Sequence, residues 1–90
     1  MLRNDQTLYQ ATLDKWGEEA QYDQAIEECA ELITALKHYK RGKVSKDEII
    51  AELADVTLMI GQLTWMFGVE RIDQAIGEKL KKLKALINQE

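Results

Sequence analysis

The chain has 90 residues, a formal net charge of −4 and 46% hydrophobic residues. This length predicts one domain spanning 1–90, with so small a core that a homo-oligomer sharing its core is expected. The acidic balance argues against a nucleic-acid binder that works by neutralising phosphates. No stretch approaches the ~20 apolar residues of a membrane span, and Cys29 is the only cysteine. We therefore expect a cytoplasmic protein with no membrane partner.

Four predicted helices, separated by glycines, indicate an all-α fold. The chain contains no proline, and its β-branched residues are scattered, which favours helices. Ser45 and Glu48 form a capping box at the start of the third helix, while Gly17, Gly42 and Gly68 follow the ends of the first three. Short connections predict antiparallel neighbours in a four-helix bundle. The predicted helices cover approximately 5–16, 22–41, 46–67 and 70–87.

Two carboxylates interrupt the apolar face of the third helix. Glu52 falls in the middle of that face and Asp55 at its edge, when residues are placed at about 100° each. Burying a lone ionised carboxylate costs several kcal/mol, and two like charges three residues apart on a helix repel each other. An ordinary packing role does not explain these residues. The apolar face consists of Ile49, Leu53, Val56, Met59, Ile60, Leu63 and Phe67.

The second helix repeats this pattern, with Glu28 and Glu31 along one margin of its apolar face and Glu27 further round. That face is predicted to contain Ile26, Cys29, Leu32, Ile33 and Leu36. An antiparallel hairpin of helices two and three brings both carboxylate pairs together. Four oxygen-bearing side chains suit Mg²⁺ or Mn²⁺. A single pair of carboxylates at this spacing usually lies on a solvent-exposed helix face. The prediction of a metal site therefore depends on having two pairs.

The single histidine and the lysines of the fourth helix bear on competing interpretations. A di-iron carboxylate bundle uses Glu-x-x-His on two helices, whereas His38 follows Glu31 by seven residues and matches that pattern poorly. Lys79 falls within the apolar arc of the fourth helix, and Lys82 lies just outside it. An inward lysine beside a metal site can bind phosphate oxygens. The alternative is that Lys79 extends its amine to water along apolar surface.

The acidic motifs together resemble a known family. Glu27-Glu28-Cys29-Ala30-Glu31, followed after 20 residues by Glu52-Leu53-Ala54-Asp55, is similar to the EExxE…ExxD signature of MazG-like all-α nucleotide pyrophosphohydrolases. The similarity covers nearly the whole chain and extends to flanking segments. These are Lys15-Trp16-Gly17, Gln21, Arg41-Gly42-Lys43 and Glu78-Lys79-Leu80.

This resemblance implies a Mg²⁺-dependent enzyme that cleaves a nucleoside triphosphate to the monophosphate and pyrophosphate, in a homodimer or a dimer of dimers. The implied metal ligands are Glu28, Glu31, Glu52 and Asp55. Glu27 is implied as the additional acidic residue, a candidate base, and Lys79 and Lys82 as phosphate ligands. Trp16 and Gln21 fall in the nucleoside-pocket segment, although Trp16 also suits a core or interface position. The alternative from another functional class is a non-enzymatic helical interaction module with an acidic docking face.

Overall fold

A computed structural model describes residues 5–89 of the chain, and these form four α-helices. No strand occurs within this described range. The predicted all-α fold with four helices is therefore confirmed. The helices are α1 (Gln6–Trp16), α2 (Glu18–Lys40), α3 (Lys46–Phe67) and α4 (Val69–Ile87).

The predicted start of the second helix was wrong by four residues. A single residue, Gly17, separates α1 from α2, and its φ of +88° lies in a region that side chains with a Cβ rarely adopt. Glu18 and Glu19 then occupy the first turn of α2, where negatively charged side chains interact favourably with the helix dipole. One glycine suffices to change the direction of the chain, so no intervening loop is needed.

The α2–α3 hairpin is the framework of the molecule. The Ser45 hydroxyl accepts a hydrogen bond from the Glu48 amide at 3.3 Å, which confirms Ser45 as the N-cap, one half of the predicted capping box. Between residues 23 and 60, the unexposed positions of both helices recur every three or four residues, the spacing of one helix face. These positions are Ala25, Glu28, Leu32 and Ala35 in α2, and Ile49, Glu52, Val56 and Met59 in α3.

The apolar face predicted for helix two does not pack against α3, with the exception of Leu32. Ile26, Cys29, Ile33 and Leu36 are exposed instead. Two of the four contact positions in α2 are small residues, Ala25 and Ala35, which let the two backbones approach closely. A second apolar surface therefore remains on the hairpin.

A polar network holds α1 against the hairpin. Tyr9 is buried, with its ring centroid 6.2 Å from that of Trp65. Gln62, only 4% exposed, donates from Nε2 to the Tyr9 carbonyl at 3.0 Å. The Thr12 hydroxyl donates to Oε1 of Gln62 at 2.8 Å. These bonds join segments about fifty residues apart in sequence and fix the position of α1.

α4 contacts only α3 among the described helices and leaves most of its apolar face uncovered. Within that face, Ile72 is half-buried, while Ile76, Leu80, Leu83 and Ile87 are exposed. The molecule measures 48 × 36 × 20 Å, and its radius of gyration is 15.8 Å. A compact 90-residue domain has a radius of gyration of about 12 Å, so the protomer is a thin, open slab.

α3 is long and apolar enough to cross a membrane by length and composition, the only helix in the range 5–89 that is. The expectation that no stretch approaches a membrane span was therefore wrong by this criterion. A helix from the core of a soluble protein passes the same test. The side of α3 that faces α2 carries Glu52, within reach of two glutamates of α2. That placement ties α3 to α2 through polar groups that hydrocarbon would not solvate.

Candidate metal centre

Three glutamates meet where α2 and α3 pack together. Glu28 and Glu31 of α2 and Glu52 of α3 each offer one carboxylate oxygen, and these oxygens all lie within 4.8 Å of one another. The spacing of three residues in α2 places both of its glutamates on the margin facing α3. Glu28 and Glu52 are half-buried, and Glu31 is exposed to solvent. The cluster is thus open on one side.

Two oxygens of this cluster are buried without a hydrogen-bond donor. They are Oε2 of Glu28 and Oε2 of Glu52. The other oxygen of Glu28 accepts a hydrogen bond from Nε2 of Gln24 at 2.9 Å. Unpartnered buried carboxylate oxygens are costly and uncommon in folded proteins. A divalent cation takes several oxygen ligands and would satisfy both atoms, so this donor set fits Mg²⁺ or Mn²⁺.

Burial and like charge raise the pKa of two glutamates. The pKa of Glu28 lies above its ordinary value because of desolvation, followed by the charges of Asp55 and Glu31. The pKa of Glu52 is raised by desolvation, and then by Glu31, Asp55 and Glu48. Without a cation, Glu28 and Glu52 therefore hold a proton more tightly than an ordinary glutamate does. A bound divalent cation would reverse this preference, since it stabilises the ionised form.

Asp55 and Glu27 border the three-glutamate cluster. Asp55 is exposed on α3, and its charge contributes to the raised pKa of Glu28. Glu27 lines an open depression of about 400 Å³ together with Glu31 and Glu52. His38 lines the same depression, but it is not among the residues whose ligand atoms converge.

A larger cavity of about 490 Å³ lies between α1 and the hairpin. Trp16 and Gln21, which the sequence assigned to a nucleoside pocket, both line it, and Gln21 is only 6% exposed. Gln24 also lines this cavity while donating its hydrogen bond to Glu28. The cavity and the carboxylate cluster are therefore adjacent, and Gln24 contacts both of them. The rest of the wall comes from Leu8, Tyr9, Thr12, Ala20, Leu58, Met59 and Gln62.

Sequence reasoning missed Gln24 and Gln62. Gln24 precedes Glu28 by four residues, a spacing at which helical side chains meet, so this pair could have been found. Gln62 is a lone amide in the otherwise apolar second half of α3. A polar residue in such a position signals a buried hydrogen-bonding role.

The structure does not bring the two predicted lysines to the carboxylates. Lys79 and Lys82 are exposed on α4, which contacts α3 alone. Neither forms an ion pair within residues 5–89. Their role as phosphate ligands stays a prediction.

Comparisons of the chain with protein-family models, with curated proteins and with solved structures find no match. Membership of the MazG-like family therefore stays a prediction based on the motif. The chemical interpretation of the site therefore depends on the residues of this chain alone.

Proposed function

We propose that this protein is a Mg²⁺-dependent nucleoside triphosphate pyrophosphohydrolase that releases pyrophosphate and a nucleoside monophosphate. One observation carries the proposal. Three glutamates of two helices present oxygens within 4.8 Å of one another, and two of these side chains hold a buried oxygen with no donor. A docking face would place its carboxylates in solvent, where water satisfies them.

The neighbouring cavity supports a nucleotide as the substrate. A volume of about 490 Å³ falls within the ordinary range for small-molecule pockets. Its wall includes the indole of Trp16, on which a flat ring can stack. A nucleoside in this cavity would extend its phosphates past Gln24 towards the carboxylates.

The acidic side chains have two roles in the proposal. Glu28, Glu31, Glu52 and Asp55 would hold the Mg²⁺ ion, which supplies charge neutralisation to the phosphate chain when bound. Glu27 faces the open depression beside the ligands and would orient a water molecule and accept its proton. Gln24 would fix the carboxylate of Glu28 through its hydrogen bond.

The non-enzymatic alternative predicts a different orientation for the Glu52 side chain. A docking face requires that Glu52 point outwards to a partner. Glu52 is instead half-buried and directed towards Glu28 and Glu31, an arrangement that favours the metal-dependent enzyme.

In the deciding experiment, the 90-residue protein is incubated with Mg²⁺ and a panel of ribo- and deoxyribonucleoside triphosphates. The products are then identified. We expect pyrophosphate and monophosphate. Glu52→Gln should lower kcat/KM by at least about 100-fold while retaining helix content, since removing a ligand costs no less than removing an outer-shell partner. Glu70→Gln, the same change at an exposed position in α4, is the matched control. Release of orthophosphate alone, or full activity in Glu52→Gln, would refute the proposal.

A further inference from the structure

The outer segment of α4, residues 73–87, does not pack against the rest of the protomer. Every residue from Asp73 to Ile87 is exposed, and only Val69 and Ile72 of this helix are half-buried. An isolated helix of about 15 residues is marginal in water, because the packing of an amphipathic face normally supplies its stability. The outer segment therefore needs a surface that covers it.

This outer segment has one apolar face. α4 shows the strongest separation of apolar from polar residues among the four helices. At about 100° per residue, its large apolar side chains fall within one arc of the helix, and in the outer segment they are 49–73% exposed. They are Ile76, Leu80, Leu83, Leu86 and Ile87. The face is therefore continuous over about three turns.

Four lysines surround this face in an otherwise acidic chain. Lys79 and Lys82 lie along one edge of the face and Lys84 along the other, while Lys81 lies on the polar side. No acidic residue occurs between 79 and 87, so this stretch carries +4 and the rest of the chain −8, since the whole carries −4. All four lysines are exposed, and none is paired with a carboxylate within residues 5–89.

We propose that the outer segment of α4 lies on an anionic lipid bilayer, parallel to its surface. Charge complementarity selects this occupant, because anionic headgroups pair with lysines at both edges while the apolar side chains enter the boundary with the acyl chains. The lysine stems cover apolar surface as their amines reach the lipid phosphates. The expectation of no membrane partner was based on spanning segments, and a helix that lies on the surface requires none.

Co-sedimentation of the 90-residue protein with phospholipid vesicles tests this attachment without nucleotide or Mg²⁺, and therefore independently of the proposed enzyme activity. We expect binding to phosphatidylcholine vesicles that contain about 30% phosphatidylserine, and a partition coefficient at least about tenfold lower on phosphatidylcholine alone. Binding should weaken as the salt concentration rises, since added ions screen the lysines. Equal partitioning on the two kinds of vesicle, or no binding to either, would overturn the proposal.

Two variants separate the apolar part of the interaction from the charged part, and neither changes a predicted phosphate ligand. Leu83→Gln should lower the partition coefficient at least about tenfold, because it removes an apolar side chain from the lipid contact. Lys84→Gln should lower it about fivefold, the effect of one lysine near an anionic surface. Circular dichroism verifies that each variant retains its helix content.

Matched controls make the same two changes outside α4. Leu53→Gln alters a leucine of α3 that is 48% exposed, against 52% for Leu83, and Lys37→Gln removes one charge from the last turn of α2. Both controls should bind vesicles as the wild type does. Equal binding by Leu83→Gln and Leu53→Gln would overturn the proposal. So would a wild type that ignores vesicles but self-associates in a manner that Leu83→Gln abolishes, since a second copy would then cover α4.

Discussion

Replacing Gln62 by alanine tests how α1 is attached to the hairpin. Gln62 is 4% exposed and bonds α1 twice, as donor to the Tyr9 carbonyl and as acceptor from the Thr12 hydroxyl. Each side-chain hydrogen bond contributes about 0.5–1.5 kcal/mol net, and the lost methylene adds about 0.8 kcal/mol. Thr12 keeps a partner, because its hydroxyl also lies 2.9 Å from the Tyr9 carbonyl. The free energy of unfolding should therefore fall by about 2–4 kcal/mol.

For a chain of this length, 1 kcal/mol corresponds to about 4–8 °C in Tm, so Gln62→Ala should lower Tm by roughly 8–32 °C. Urea unfolding at fixed protein concentration, followed by circular dichroism, measures the free energy directly. Gln10→Ala is the matched control, since Gln10 is exposed and donates a hydrogen bond to Asp14 within α1. That control should lose no more than about 0.5 kcal/mol.

Gln62→Ala should also affect the cavity without affecting the carboxylate cluster. Loss of the Gln62 bonds loosens α1, which carries Trp16 and forms one wall of the cavity, so the KM for a triphosphate should rise. The cluster itself is held by α2 and α3, so the Mg²⁺-induced increase in Tm should persist. A loss of stability below about 1 kcal/mol, or one equal to that of Gln10→Ala, would refute the idea that this network fixes α1.

Two further predictions concern the carboxylates. Because the folded state raises the pKa of Glu28 and Glu52, it binds protons more tightly than the unfolded state, and the resulting stabilisation is lost as pH rises above the ordinary glutamate pKa of about 4.3. The Tm of the metal-free wild type should thus fall relative to that of Glu52→Gln as the pH rises above about 4.3, as measured by calorimetry in EDTA; a difference that does not change with pH would contradict this. Gln24→Leu removes the donor to Glu28 and should weaken Mg²⁺ binding by about 10–100-fold in titrations. Gln10→Leu should leave Mg²⁺ binding unchanged, and equal affinity in both variants would exclude a positioning role for Gln24.

The sequence predicted the helices and the meeting of carboxylates because both depend on local spacing. Glu28 and Glu31 face Glu52 once the helices pack antiparallel, and a short connection makes that packing the simplest one. The spacing of three residues in each motif then places the side chains on facing margins. This part of the site follows from periodicity and chain connectivity alone.

Periodicity could not decide which apolar face packs inside the protomer. Ile26 and Ile33 are more hydrophobic than Ala25, yet Ala25 is buried and both isoleucines are exposed. Hydrophobicity measures the preference of a side chain to leave water, and it does not specify which surface will cover that side chain. Close backbone packing, which favours the small residue, depends on the shape of the facing helix and is absent from a single-helix pattern.

The acidic cluster is costly for a chain of this size. A small domain has little net stability with which to offset buried, mutually repelling carboxylates. Glu28 and Glu52 each replace an apolar residue at a contact position between α2 and α3, so the hairpin is weakest where the cluster is built. Ile33 and Leu53, one residue beyond Leu32 and Glu52 in sequence, are 58% and 48% exposed, so they add little burial within the protomer. A divalent cation bound to the cluster would offset the repulsion between its carboxylates, and we therefore expect the Tm of the wild type to rise with Mg²⁺.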